Sequence, residues 1–250
     1  MFEGGSIEKF EKHETPKPET GPEIDIESVL ERGEIERVEP LEGYEHIDVV
    51  EIKDDGKGLF KTNSEMVYMS GGKERLPENR IALERLAYAI DKILGFNLVP
   101  ATVSREISGQ MGALQEFVST AIPAIQFNWE GKVKLGELIR AAVFDYLIDA
   151  QDRDTRNFLV NLESGKIWLI DHDYYMFLDV PFVGSRLVDE ARRRKLTILP
   201  TEILTAVTKL AESVDTLIVE GEEDYLKQIL AGIKERAGIL LKTGEIPKTI

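Results

Sequence analysis

Between residues 47 and 62 two short apolar-rich stretches flank a polar turn, the pattern of a strand-rich segment. Ile47–Lys53 and Gly58–Thr62 therefore read as paired strands, and the Asp-Gly step in Asp54-Asp55-Gly56-Lys57 supplies the hairpin chemistry between them. A short helix over about 26–32 precedes them, and Met66–Ser70 adds a further strand. A helix opens near Pro77-Glu78-Asn79. Ala82, Leu86, Ala89, Ile90 and Ile93 fall at helical spacing along it, and Gly95 supplies the stop. Leu98–Ile107 and Met111–Val118 read as two more strands.

Beyond Val118 the period changes. Leu135, Leu138, Ile139, Ala142, Val143, Tyr146 and Leu147 form a long helical stripe. A small hairpin follows, Phe158–Leu162 and Lys166–Ile170 about Glu163-Ser164-Gly165. Two amphipathic helices close the chain, one through Ile203, Leu204, Val207, Leu210 and Val214, the other through Leu226, Ile229, Ile233, Ala237 and Leu240. Residues 1–23 lack apolar periodicity and carry Gly4, Gly5, Pro16, Pro18, Gly21 and Pro22, which predicts a flexible acidic arm or one that orders on a partner. The expected fold class is α+β, with a strand-rich half over 24–118, a helical half over 119–250 and a ligand cleft between them.

Composition narrows the chemistry. With no cysteine, disulfides, thiolate metal sites and cysteine nucleophiles are excluded, and His13, His46 and His172 are too few to suggest a zinc enzyme. The formal net charge of −15 disfavours nucleic acid and anionic membrane surfaces as partners. No apolar run reaches the roughly 20 residues of a membrane span, and the N-terminus lacks the basic-then-apolar pattern of a secretory signal, so the expected location is the cytoplasm.

The informative stretch begins at Asp145-Tyr146-Leu147-Ile148-Asp149 and runs through Asp152-Arg153-Asp154-Thr155-Arg156-Asn157. Asp152 and Asn157 stand just ahead of an apolar strand, and after the hairpin a second strand, Trp168-Leu169-Ile170, delivers Asp171. Phosphoryl transfer needs a carboxylate to take or orient the proton of an attacking hydroxyl, and hard oxygen ligands to hold magnesium against a triphosphate. Asp152 suits the first role; Asn157 and Asp171 suit the second. Upstream, Lys61 ends an apolar strand where it would reach phosphates, and Glu84 on the next helix would hold it.

Taken together these residues resemble the phosphatidylinositol 3-/4-kinase-like branch of the protein kinase-like superfamily, near type II lipid kinases and actin-fragmin-kinase-like proteins. The matching segments are Gly58-Leu59-Phe60-Lys61, Leu83 to Gly95 about Glu84, Leu98 to Val103, Gly112 to Val118, Phe144 to Ile148, Asp152-Arg153, Asn157 and Leu169-Ile170-Asp171-His172. The resemblance spans roughly residues 47 to 177 and implies a two-lobed kinase-like fold using ATP and Mg2+. It implies that Lys61 binds phosphates and pairs with Glu84, and that Glu116, Phe117 and Val118 form the adenine-binding hinge. Asp152 would be the catalytic acid/base, with Asn157 and Asp171 as metal ligands.

The chain departs from that pattern at Asp154, at Asp173, and in the phosphate-loop region 40–45, where Gly43 is flanked by Glu42 and Glu45. The expected reaction is γ-phosphoryl transfer to a hydroxyl, with a protein acceptor favoured slightly over a phosphoinositide. Two other readings stay open: AMP transfer in the same fold, and a non-catalytic interaction module. Arg192-Arg193-Arg194-Lys195 and Arg186 read as a solvated face pairing with acids rather than a substrate contact. Phe127 and Trp129 read as packing residues, and His172 as structural.

Overall fold

The computed structural model describes residues 25–44, 46–54, 56–62, 68–70, 73–75, 80–172, 184–217 and 223–247, of which 68–70, 73–75, 80 and 223–225 are described in backbone only. The expected arm over 1–23, the helix start at 77–79, Glu45, Met66 and Asp173 lie outside those residues.

Helix α1 (Ile26–Arg32) is capped at its N-terminus by Asp25, whose carboxylate accepts from the Ser28 amide. It precedes strands β1 (Ile35–Pro40), β2 (Ile47–Ile52) and β3 (Gly56–Thr62). A separate two-stranded ribbon, β4 (Tyr68–Ser70) with β5 (Lys73–Arg75), leads to α2 (Arg80–Leu94), β6 (Thr102–Ile107) and β7 (Gln110–Glu116). The main sheet is antiparallel throughout, in the order β1-β2-β3-β7-β6. In the predicted hairpin Ile47 lies opposite Lys61 and Ile52 opposite Gly56. Strand β1 carries no alternating burial, since all but its first residue are exposed, and the sequence pattern gave no sign of this edge strand.

One face of the sheet packs Val50, Ile52, Phe60, Val103, Ile107 and Leu114 against Leu30 of α1. Arg105 on the same face donates to the carbonyls of Leu30 (2.7 Å) and Gly33 (2.5 Å), satisfying the open end of α1. Gly112 is required by close approach, because a Cβ there would lie 2.4 Å from the Phe60 ring.

The remaining elements are β8 (Ile122–Pro123), α3 (Leu135–Ile148), β9 (Phe158–Val160), β10 (Ile167–Leu169), α4 (Arg186–Arg193), α5 (Thr201–Ser213) and α6 (Glu223–Thr243). Strands β8, β9 and β10 form a small antiparallel sheet. The large core joins α3, α4, α5, α6, β9 and β10, and Leu83, Leu86, Ala87, Ile90 and Leu94 of α2 belong to it. Helix α2 is thus buried with the helical half while its Tyr88 also touches the α1 side of the sheet. Phe127 and Trp129 pack as expected, Trp129 edge-on to Phe158 at 5.0 Å. No described helix is long and apolar enough to cross a membrane.

The strand expected from Leu98 begins only at Thr102. The physical reason is Asp91, the buried acid on α2, whose Oδ2 accepts from the amides of Leu98 (2.8 Å) and Val99 (3.0 Å). Those two amides are thereby taken from any β ladder, and the Leu98 carbonyl accepts from Leu169 of β10 (2.7 Å). Burial pushes the Asp91 carboxyl up to about 6, despite the two amides and the charge of Lys166.

The folded state therefore holds this proton more tightly than the unfolded chain, and stability falls as pH rises from about 4 through 6. Asp91→Asn keeps an acceptor for the two amides without the charge. We expect the variant to match or exceed wild type in urea unfolding at pH 7.5, with its relative advantage shrinking toward pH 4. A variant equally destabilised at both pH values would contradict this.

Candidate active site

Strand alternation sends Phe60 into the α1-side core and Lys61 to the opposite face of β3. There the lysine is almost wholly buried, at 4% exposure, and its ammonium donates to Glu84 Oε1 on α2. Glu84 is fully buried. Burial would raise its carboxyl, but the Lys61 charge and the contact with His172 outweigh that and hold it well below the usual carboxylate range.

Two consecutive residues at the end of β10 then close a ring. Asp171 Oδ1 lies 3.4 Å from Lys61 Nζ, and His172 Nδ1 lies 3.4 Å from Glu84 Oε2. In an extended strand neighbouring side chains point to opposite faces. Asp171 instead has φ +61°, a left-handed conformation that breaks the alternation as the chain leaves β10. His172 is buried, and burial pushes its imidazole down to about 4 against the pull of Glu84. It is neutral at pH 7 and structural, as the sequence suggested.

The second group stands on the loop between α3 and β9. Helix α3 ends at Asp149 in the left-handed conformation, and the chain turns through residues 150–157. The Asn157 amide nitrogen donates to the Asp152 carbonyl (2.7 Å) and lies 3.5 Å from its Oδ2. Asp152 has a raised pKa, chiefly from burial and then from the neighbouring charges of Asp154 and Asp171, opposed by Arg156 and by Asn157. The Asp171 contribution places the two carboxylates in electrostatic reach of each other.

Arg153 holds this loop and was missed as a functional residue. Its side chain is fully buried. Nε donates to Asp145 Oδ1 (3.1 Å) on α3, and Nη1 donates to the carbonyls of Asn157 and of Ile170 (2.7 Å), the residues bearing or preceding both candidate metal ligands. Asp145 also accepts from Ser185 Oγ (2.6 Å), the N-cap of α4. The available signal was Asp145 itself, an acid in the apolar run Phe144-Asp145-Tyr146, since a buried carboxylate needs a cationic partner.

Glu116, Phe117 and Val118 lie at the end of β7, apart from the Lys61 group. The Glu116 amide donates to Ala101 O (2.8 Å) and the Phe117 amide to Lys57 O (3.0 Å). The Val118 amide makes no hydrogen bond among the described residues. The loop between β1 and β2 turns at Gly43, φ +84°, and holds Tyr44 out into solvent. Asp154, a departure from the family pattern, accepts from Arg156 Nε (2.9 Å) and from its amide (2.7 Å).

No protein-family model matches the sequence, and neither does any curated protein. Solved structures do match. A Golgi casein kinase superposes with a TM-score of 0.55 at 15% identity, covering 88% of this chain and 76% of that one. Its Mn/ADP-bound form gives 0.53 at 16% identity, covering 88% and 75%. A Helicobacter pylori proinflammatory kinase, CtkA, gives 0.52 at 12% identity, covering 86% and 96%.

The chain has a protein kinase-like fold. Identities this low show the fold alone, so the chemistry rests on the residues. Within a kinase-like fold Lys61 on β3, Glu84 on α2, the Asp152–Asn157 loop and Asp171 after β10 fall in the order that phosphoryl transfer uses. Their donor set fits magnesium. Among the described residues no group of three His, Asp or Glu side chains forms a metal cage. Magnesium needs none, because it keeps waters and substrate phosphate oxygens beside one or two protein ligands.

Arg153 should be indispensable to the fold. Breaking a buried ion pair from one side costs about 3–5 kcal/mol, so Arg153→Met should lower urea stability by that order. Arg153→Lys should not rescue it, since one ammonium cannot serve a carboxylate and two carbonyls in a planar fork. A fully stable lysine variant would contradict this account.

Proposed function

We propose that this chain transfers the γ-phosphoryl group of ATP to a hydroxyl acceptor. The observation that carries the proposal is the closed ring Lys61–Glu84–His172–Asp171, which presents an ammonium and a carboxylate together opposite the Asp152 loop. A lysine neutralised only by Glu84 would be a structural ion pair. Its second contact to Asp171, whose side chain is 38% exposed, turns the pair toward solvent and toward a triphosphate.

In this reading Lys61 binds phosphate oxygens while Glu84 fixes its position. Asn157 spends its amide nitrogen on Asp152, which leaves the amide oxygen for a cation, and Asp171 supplies the second oxygen ligand. A magnesium ion there would neutralise charge on the phosphates. Asp152, with its raised pKa, orients the acceptor hydroxyl and takes its proton as the bond to phosphorus forms. The Val118 amide is the donor available to adenine in the hinge. Residues 24–118 and 119–250 serve as the two lobes, and the motifs favour the phosphatidylinositol 3-/4-kinase-like branch with a protein acceptor ahead of a lipid. AMP transfer is motivated by Asp154 and the altered phosphate loop, and the pairing of Asp154 with Arg156 supports γ-phosphoryl transfer over it.

The test uses magnesium with γ- or α-labelled ATP, on wild type, Asp152→Asn and Asp171→Ala. Label should arrive from the γ position only and fall about 10²–10⁴-fold in Asp152→Asn, the usual worth of a general base. Label from the α position would replace the proposal with nucleotidyl transfer. Failure of magnesium-ATP to bind wild type would leave a non-catalytic module.

A further inference from the structure

The arginines of helix α4 and its C-cap divide into two kinds. In the run at the end of α4, Arg193 and Arg194 both pair with Glu190, at 2.5 and 2.6 Å. Arg192 donates to the Pro247 carbonyl (3.1 Å) and lies 3.8 Å from Asp189. These three are internal connections, in line with the sequence reading of a face paired with acids. Arg186 is different. It is exposed and forms no side-chain hydrogen bond or ion pair among the described residues, in a chain with 46 acidic and 31 basic residues.

Its location makes that isolation unfavourable. Arg186 is the first residue of the eight-residue helix α4, where the helix dipole disfavours a cation. Its backbone is fixed beside the catalytic loop: the Arg186 amide donates to the Arg153 carbonyl (3.0 Å), and Ser185 forms a parallel bridge with Arg153. Arg153 is the neighbour of Asp152. Further along the same loop, Arg156 is gripped by Asp154 through Nε and Nη2, with two thirds of its side chain exposed. Burial would raise the Asp154 carboxyl, but the bonds from Arg156 and the charge of Arg186 bring it below its ordinary value, so Asp154 feels both arginines.

We propose that Arg186 and Arg156 form an acceptor subsite for carboxylate side chains, so that the hydroxyl substrate lies in an acidic peptide. The proposal rests on the phosphotransferase reading and adds its substrate class. Asp154 is taken up by Arg156, which leaves Arg186 an exposed guanidinium with no acid partner of its own among the described residues, in a chain of net charge −15. Guanidinium groups bind carboxylates through paired hydrogen bonds, and each such contact is a geometric as well as an electrostatic preference. An anionic bilayer would have to approach the whole negative surface to reach two arginines, whereas an extended peptide needs only the patch.

The test measures fluorescence anisotropy of labelled peptides on the full chain with Mg2+ and ADP. The peptides share length, carry a central Ser, Thr or Tyr, and are flanked by Glu, Ala or Lys. The Glu-flanked peptides should bind about tenfold tighter than the Ala-flanked ones, equivalent to 1.4 kcal/mol. Arg186→Glu should erase that preference and raise affinity for the Lys-flanked set, and Arg156→Glu should weaken it. Circular dichroism and urea midpoints establish that both variants fold. Equal or undetectable binding of Glu- and Ala-flanked peptides by wild type overturns the subsite. So does a preference unchanged in Arg186→Glu, or binding confined to phosphoinositide vesicles. Magnesium-ATP binding is read separately on wild type, so its failure sinks the phosphotransferase reading and its success with no peptide preference sinks the subsite alone.

Discussion

A carboxylate cannot be buried without a partner, and Glu84 has no exposed surface at all. Helix α2 can therefore place its apolar face in the large core only where an ammonium meets Glu84. Lys61 supplies it from a strand whose neighbouring residue, Phe60, is committed to the other side of the sheet. The register of the hairpin, the rotation of α2 and the joint between sheet and helices are thus tied to one contact. Asp171 and His172 extend it, because each touches one end of the pair and both follow directly from β10. Any motion that separates α2 from the sheet must also disturb the residue proposed to hold a metal.

Arg153 does for the Asp152 loop what Lys61 does for the sheet. Its guanidinium draws together a helix through Asp145, the carbonyl of Asn157, and the carbonyl of Ile170 just before Asp171. Asp145 is fully buried, and burial pushes its carboxyl up even though Arg153 and Ser185 pull the other way. Such a pair adds little net stability, because desolvation offsets the attraction. Its effect is positional: two loops far apart in sequence are held in one place and cannot drift without stranding a charge.

Much of this was legible in the residue pattern, and the misses have physical causes. Helices α1, α2, α5 and α6 and the hairpins β2–β3 and β9–β10 showed because each buries one side more than the other, which is what periodicity reports, while α3, buried on every residue from Ala141 to Ile148, showed by its apolar content. Edge strand β1 showed nothing, being exposed on nearly every residue. The start of β6 was drawn too early because Leu98 and Val99 are apolar and buried, yet their amides belong to Asp91, a long-range bond that local pattern does not encode. Lys61, Glu84, Asp152, Asn157 and Asp171 were singled out by their order and types, and the structure brings Lys61, Glu84 and Asp171 into contact and sets Asn157 on Asp152. Arg153 escaped because it looked like one more charge in a polar loop, and only the acid inside an apolar helix hinted at its burial.

The distribution of arginine explains how so acidic a chain holds its turns. Arg105 bonds the carbonyls that end α1, Arg236 bonds the Leu147 carbonyl near the end of α3, and Arg194 reaches the Glu130 carbonyl. Arg153 and Arg192 likewise end on backbone carbonyls. Helix ends and loops leave carbonyls without donors, and a planar fork of five N–H groups can serve several at once. The negative balance is therefore a property of the surface, while guanidinium groups act largely as connectors between backbone segments. Arg186 departs from that pattern, since it forms no side-chain hydrogen bond or ion pair among the described residues and sits where its own helix disfavours it. Its amide bond to the Arg153 carbonyl fixes it beside the Asp152 loop, and the proposed carboxylate subsite would give that arrangement a purpose.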